Sequence, residues 1–463
     1  MLNLDHHSRR DFLKVGSLGL GGLSLADLMA LRALGKQGEP GKGLLKDRSV
    51  VFVFMQGGPS QFETFDPKMD MPSDIRSATG EIKTTLPGIT FGSTFQKLAR
   101  LAHKFSVVRS FATGDGKHDT KPIMCRQTLG ANMGSLYSRI AGPIRPGSAM
   151  PTNVALYPRA VDSETMPAFL KFGDFNSSGD LGVAYSPFVP GSGSDLQADM
   201  KLNLKPERLD DRKGLLTGID DWRRMIDTAG VVEGLSEFQQ QAFSTLQREV
   251  HRAFDLSQED PRIIARYDTA PLVPKESIRK VWNNHERYAD NAASLGKLML
   301  LSRRLCERDV GFVTVTTNFV WDMHADKNNA TMPEGMRYVG QPFDHAISAF
   351  IEDVEARGLS EKILLVCCGE MGRTPRINAR GGRDHWGGLA PLMIYGGGLK
   401  MGQVIGQSSR DGGEPESNGF NIENLMATIM HSLIDIGELR VTEGLPRNLV
   451  SALTAGKPIT GLV

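Results

Sequence analysis

The stretch "KILLVCCGEMGRTPRINARGGRDHW", Lys362 to Trp386, decides the fold. Its opening run "ILLVCC" has no polar interruption, the pattern of a strand buried on both faces, and such strands belong to parallel sheets. The chain then passes straight into a loop carrying Glu370, Arg373, Arg376, Arg383, Asp384 and His385, punctuated by Gly372, Gly381 and Gly382. In parallel-sheet proteins the loops at the carboxyl ends of strands carry the chemistry, because a rigid sheet positions their side chains. This loop is therefore the first candidate site.

Working outward, the same device recurs. "RSVVFVFMQGGPSQFETFDP" is an apolar strand running into a Gly-Gly-Pro loop, and "KFSVVRSFATGDGKHDTKPIM" is a short strand followed by a loop and an expected helix start. "ADNAASLGKLMLLSRRLCERDVGFVTVTTN" and "FDHAISAFIEDVEARGLSEKILLVCCGE" each read as a helix leading into a strand. This alternation predicts an α/β fold, a doubly wound, mostly parallel sheet with helices on both faces. A polar, mostly helical section at about 187–287, with "EFQQQAFSTLQREVHRAF" as its clearest amphipathic segment, reads as a helical insertion into a single domain spanning 36–463. "GFNIENLMATIMHSLIDIGE" reads as a final helix capped by an asparagine.

Composition excludes several classes of partner. The 463 residues carry 54 basic and 53 acidic side chains, a formal charge of +1, so no bulk field favours nucleic acid or an anionic membrane. No stretch after the amino terminus approaches the ~20 apolar residues needed to span a bilayer. The amino terminus itself, "SRRDFLKVGSLGLGGLSLADLMALRALGKQG", resembles a twin-arginine export signal over residues 1–35, with Arg9 and Arg10 ahead of Phe12, Leu13 and Lys14. It predicts a partnership with the twin-arginine export machinery and a folded, cofactor-loaded protein of the periplasm or cell envelope. The four cysteines, Cys125, Cys306, Cys367 and Cys368, have no zinc-ribbon spacing. They leave room for one disulfide, and adjacent Cys367 and Cys368 should point to opposite faces of their strand.

Three clusters could carry chemistry. "FVWDMHADKNN" places Asp322, His324 and Asp326 beyond a strand end, where two residues spaced by one in an extended segment face the same way and reach one ion. The opening loop adds Glu370, Asp384 and His385. Together Asp322, His324, Glu370, Asp384 and His385 make a mixed oxygen and nitrogen ligand set that suits zinc or manganese, with calcium or magnesium as the harder alternatives. Arg373 offers a planar fork of donors to a tetrahedral oxyanion, and lies nearest its strand end. In "TGDGKHDT", His118 is a proton donor or a further ligand, and Thr120 or Thr113 a hydroxyl nucleophile, while Asp119 reads equally as a helix cap. Incidental surface turns and carboxylate-paired arginines are the plain alternatives, and only convergence at one sheet edge favours a site.

The stretches "SRRDFLKVGSLGLGGLSLADL", "FMQGGPSQFETFDPK", "WDMHAD" and "GEMGRTPRINARGGRDHW" resemble the bacterial family labelled as the domain of unknown function numbered 1501, grouped with the alkaline-phosphatase-like superfamily beside the sulfatases. The resemblance implies a metal site at the carboxyl edge of the sheet and hydrolysis of phosphate or sulfate esters. It places Glu370 where other members have an Asp-His pair, His385 at a later metal histidine, and Asp322 with His324 at an earlier ligand pair. Gln56 stands where the superfamily usually has a metal-binding aspartate, and "CRQTL" after Met124 lacks the proline and arginine of a formylglycine motif. The expected function is thus an exported, metal-dependent hydrolase of small-molecule or polysaccharide phosphate or sulfate esters, with His118, Arg373 and Thr120 as catalytic residues. In that scheme the metal polarises the ester, a hydroxyl or water attacks in line, and Arg373 steadies the equatorial oxygens. The competing expectation is a non-catalytic envelope protein of the same fold that binds an anionic polysaccharide.

Overall fold

The computed structural model describes residues 43–146, 148, 150–191, 250–417 and 419–463. The export signal expected at 1–35 and most of the insertion expected at 187–287 lie outside these residues. Of that section 187–191 and 250–287 are described, and the latter stretch holds short helical pieces such as Val250–Phe254 and Pro261–Tyr267.

Seven strands form the central sheet: β1 (Ser49–Phe54), β2 (Phe105–Val108), β3 (Asn153–Leu156), β4 (Phe312–Thr316), β5 (Ile363–Cys368), β8 (Leu392–Gly396) and β9 (Val404–Ile405). Two more, β6 (Gly372–Ile377) and β7 (Arg383–Trp386), form a separate antiparallel hairpin between β5 and β8. The order across the main sheet is β9-β2-β8-β5-β1-β4-β3. β1 pairs in parallel with β4 and β5, β3 with β4, and β9 with β2; only β8 runs against its neighbours, β2 and β5. The order reverses around β1, so the sheet is doubly wound and mostly parallel, as the alternation of helix and strand requires.

Alternate residues of each strand supply two cores. Val51, Val53, Val313, Val315, Leu365 and Cys367 face one layer, which contains α3 (His285–Cys306) and α4 (Gln341–Ala356); a short helix, α1 (Gln96–Leu101), packs on α4. Val50, Phe52, Phe54, Leu364, Val366 and Cys368 face the other, with α2 (Met133–Ala141) and α5 (Ile422–Leu433). Every residue of β1, β4 and β5 is buried, which is why β1 and β5 read as apolar runs and β4 admits only the small polar Thr314 and Thr316. Cys367 and Cys368 do lie on opposite faces, and all four cysteines are free, so the room for a disulfide is not used.

The carboxyl ends of β1, β2, β4 and β5 lie along one edge, and antiparallel β8 begins there, its Leu392 opposite both Cys368 and Val108. Five segments therefore converge on that edge. One expected element is missing: no helix follows "TGDGKHDT", and α2 begins only at Met133, capped by Asn132. Residues 120–130 form turns instead, and Asp119 serves one of them by accepting the Lys121 N–H at 2.9 Å. The anion site expected at that helix start is not formed. Towards the carboxyl terminus the expected cap is present, with Asn421 and Asn424 closing a capping box on α5, but α5 is not the final helix, since Ile436–Val441 and Arg447–Ala455 follow it.

Candidate metal centre

Asp322 is the hub. It lies six residues past the end of β4, in a segment folded by successive turns in which Met323 N–H bonds the Trp321 carbonyl and His324 N–H bonds that of Asp322. The extended geometry expected for Asp322 and His324 is absent, yet the two side chains still meet, with His324 Nε2 3.0 Å from Asp322 Oδ2. The other oxygen, Oδ1, has His385 Nε2 at 3.1 Å, His118 Nε2 at 3.4 Å and Arg373 Nη2 at 2.7 Å. Three imidazole nitrogens thus face one carboxylate that is 3% exposed. Asn329 completes the ring, its Nδ2 3.0 Å from Asp322 Oδ2 and 3.3 Å from His324 Nε2.

His118 is held between two carboxylates. Its Nδ1 lies 2.8 Å from Glu370 Oε1, and Glu370 in turn accepts the Gly57 N–H on both oxygens, at 2.9 and 3.1 Å. Gly57 is required here: it has φ +114°, and a Cβ would lie 2.5 Å from the Asp322 nitrogen. With Glu370 holding a proton on Nδ1, the lone pair of His118 Nε2 faces the Asp322 carboxylate, an arrangement that calls for a cation or a second proton between them. Burial disfavours the His118 imidazolium, but hydrogen bonds to Asp322 and Glu370 outweigh it and raise the pKa above the ordinary imidazole value. Burial would likewise raise Asp322, yet the Arg373 charge and the three histidines hold its carboxyl well below the usual range.

Ligand atoms of His118, Asp322 and His385 lie within 4.8 Å of one another, the one such group among the described residues. Two imidazoles and a carboxylate form a donor set that zinc or manganese accepts, and Glu370 behind His118 is the outer carboxylate that commonly orients a ligating histidine. The residues fit a divalent ion on these grounds.

Several of the residues expected at the site stand apart from this group. Glu370 stands behind His118 and is spent on Gly57 and the imidazole, so it supports the group without joining it. Asp384 is exposed on β7 and bonded to Asn378, and neighbouring residues of a strand face opposite ways, so it stands outside the group that His385 joins. Arg373 is fully buried, its guanidinium donating to the carbonyls of Gly57, Gly58, Trp321 and Arg383 as well as to Asp322. It is a clamp on the loops and a countercharge for Asp322, with no fork turned to an oxyanion. Thr120 is 4% exposed and its hydroxyl donates to the Met124 carbonyl at 3.0 Å, so it is not presented as a nucleophile. Thr113 Oγ1 is buried with no hydrogen-bond partner. Gln56 is turned to the Phe169 carbonyl and Thr316, away from a ligand role.

The remaining loop residues are structural. Arg383 is buried against Glu63 at 3.2 Å and over the Phe62 ring, and Arg376 pairs with Asp74 at the surface. What sequence reading missed is the aromatic wall: Phe172 stacks on the His118 ring at 4.7 Å, Phe319 meets its edge at 4.9 Å, and Phe169 stacks on Phe319 at 4.3 Å. The phenylalanines of "PAFLKFG" were the available signal, since apolar rings on a turn-rich segment must cover something.

No helix among the described residues is long and apolar enough to cross a membrane. No curated protein matches the sequence. Similar solved structures include a sulfatase, PsFucS1, from Pseudoalteromonas sp. (11% identity, 99% of this chain and 78% of that one, TM-score 0.37). Others are the lipoteichoic acid synthase LtaP from Listeria monocytogenes (8% identity, 90% and 75%, TM-score 0.32) and a phosphonate monoester hydrolase from Silicibacter pomeroyi (12% identity, 89% and 78%, TM-score 0.30). Strand order and register define the fold independently of these distant likenesses. The model of the family described as "Protein of unknown function (DUF1501)" matches residues 47–463, and the chain belongs to that family.

Proposed function

We propose that the protein is an exported, metal-dependent hydrolase of phosphate or sulfate esters. The observation that carries this reading is the convergence of His118, His324 and His385 on one buried carboxylate at the carboxyl edge of a doubly wound sheet. His118, Asp322 and His385 would hold the ion. A divalent ion bound there supplies Lewis-acid polarisation of the ester oxygen and lowers the pKa of a water. Glu370 keeps the His118 proton on Nδ1, so that Nε2 is offered to the site, and Arg373 keeps Asp322 ionised. In the reaction the bond from phosphorus or sulfur to the leaving oxygen breaks while a water oxygen adds to the same centre. One water proton goes to solvent and the leaving oxygen gains a proton. His324, partly exposed and bonded through Nε2 to Asp322, is positioned to move that proton.

Metal analysis of the purified protein, with turnover of aryl phosphates and aryl sulfates, tests this reading. We expect bound zinc or manganese, lost in His385→Ala together with turnover; unchanged metal content in that variant overturns the assignment. Thr113→Val, unchanged in rate, separates attack by water from attack by that hydroxyl. One observation favours a second reading, a non-catalytic binder of an anionic polysaccharide: the hydroxyl of Thr120 is committed to Met124 and serves no ester. Metal retention with no turnover of any ester supports the binder.

A further inference from the structure

The aromatic wall beside His118 is built at a conformational cost. Asn318 and Phe319 both sit in the left-handed region, at φ 53° and 68°, a backbone state that bulky side chains avoid. The Asn318 side chain grips the facing segment from both sides, accepting the Phe169 N–H at 2.7 Å and donating to the Pro167 carbonyl at 3.3 Å. Gln56 adds a bond to the Phe169 carbonyl at 3.3 Å. Together these contacts set Phe169, Phe172 and Phe319 into one continuous shelf running away from His118, with Phe169 and Phe172 only half-buried.

The shelf is flanked by two cations, one of which has an unspent donor. Arg287, in the first turn of α3, lies with its guanidinium 4.7 Å from the centre of the Phe169 ring. Its Nη1 is buried and has no hydrogen-bond partner. One turn further along the same helix face, Asn291 is 2% exposed and its Nδ2 also lacks a partner. The neighbouring acid, Asp290, gives its Oδ2 to the Met166 N–H at 2.7 Å. Lys171 holds its Nζ 5.4 Å from the Phe172 ring. Buried donors without acceptors are rare and costly, and two of them on one helix face, one belonging to a guanidinium, call for an anion.

We infer that Phe169, Phe172, Phe319 and Arg287 form a leaving-group subsite, for esters whose leaving group presents a flat apolar ring face and carries a second anionic group. The rings take the face of an aryl group or of a sugar, and Arg287 Nη1, with Asn291 one turn along the same helix face, takes the carboxylate or sulfate on that ring. The inference rests on the hydrolase reading only for where the scissile ester lies, because binding of the leaving group needs no turnover.

Calorimetric titration with the leaving groups alone tests it, comparing 4-hydroxybenzoate with phenol and methyl glucuronide with methyl glucoside. We expect the anionic member of at least one pair to bind about tenfold more tightly than its neutral counterpart. The pair that shows the preference identifies the ring as aryl or sugar. Arg287→Gln should remove the preference and Arg287→Lys restore part of it, while Phe172→Leu should weaken the charged and neutral ligands of that pair alike. The preference should persist in His385→Ala, so loss of turnover there leaves the subsite standing. Equal binding of charged and neutral ligands in both pairs, or a preference that survives Arg287→Gln in a variant with an unchanged unfolding midpoint, overturns the proposal.

Discussion

Asp322 carries its charge almost out of water, and Arg373 is the reason it can. Removing one partner of a buried ion pair leaves the other uncompensated, which costs about 3–5 kcal/mol. Arg373→Met should therefore lower stability by about that amount in urea unfolding, and adding Asp322→Asn should recover part of it, because the two losses share one cause. Additive losses in the double variant would show that the arginine acts through its carbonyl contacts instead. Glu370 acts at one remove: Glu370→Gln keeps the shape beside His118 but weakens its hold on the Nδ1 proton, and should reduce zinc affinity by about 10–100-fold while leaving His385→Ala the more severe change. Competition with a chelator reads the difference. At this scale the sequence exposed residue types and their nearness to strand ends, which was enough to single out Asp322, His385 and His118, three residues that the fold brings together. It did not expose whether a donor was already spent: Arg373 looked available because a sequence does not count the carbonyls that a buried guanidinium will meet.

The elements explain which of two neighbouring residues reaches the site. On β7, His385 faces Asp322 and Asp384 faces Asn378, a parity that follows once the segment is recognised as a strand. Glycines and arginines dominate that stretch, so its strand character came from pairing with β6, which periodicity cannot reveal. The parallel strands were legible for the opposite reason: burial on both faces writes itself as an unbroken apolar run. A second consequence belongs to α1 and α4. Asp344 of α4 accepts the backbone N–H groups of Lys97 and Leu98 at the start of α1, and burial lifts its pKa to about 6 from 3.8. The folded state thus holds this proton more tightly than the unfolded chain, so the linked stability is full below pH 3.8 and is lost as pH rises to about 6. A shift of that size is on the order of 3 kcal/mol. Asp344→Asn has no proton to lose, so its stability relative to the native protein should increase across this window. Urea midpoints at intervals between pH 4 and 7 measure the difference, and parallel curves would refute the linkage.

Across the whole molecule, the candidate ligands are scattered along the chain and meet only when the sheet is complete. His118 follows β2, Asp322 follows β4 and His385 precedes β8, and Gly57 after β1 and Glu370 after β5 hold the arrangement from behind. An unfolded chain cannot gather these groups, so an ion bound by them binds the folded state alone and stabilises all of it. The topology that brings them together was legible as alternating helix and strand, while the antiparallel setting of β8 was not, because a short buried run does not state its direction. At a free metal concentration one hundred times its dissociation constant, a single site adds about 2.7 kcal/mol. The unfolding temperature should therefore rise by a few degrees on adding zinc or manganese to chelator-treated protein, as one cooperative transition. His118→Ala and His385→Ala should abolish the rise, while Asp384→Ala should retain it, since Asp384 stands outside the group. Calorimetry of the four proteins with and without metal decides the matter: equal loss in the Asp384 variant would return that residue to the ligand set, and a rise surviving in His118→Ala and His385→Ala would move the ion elsewhere.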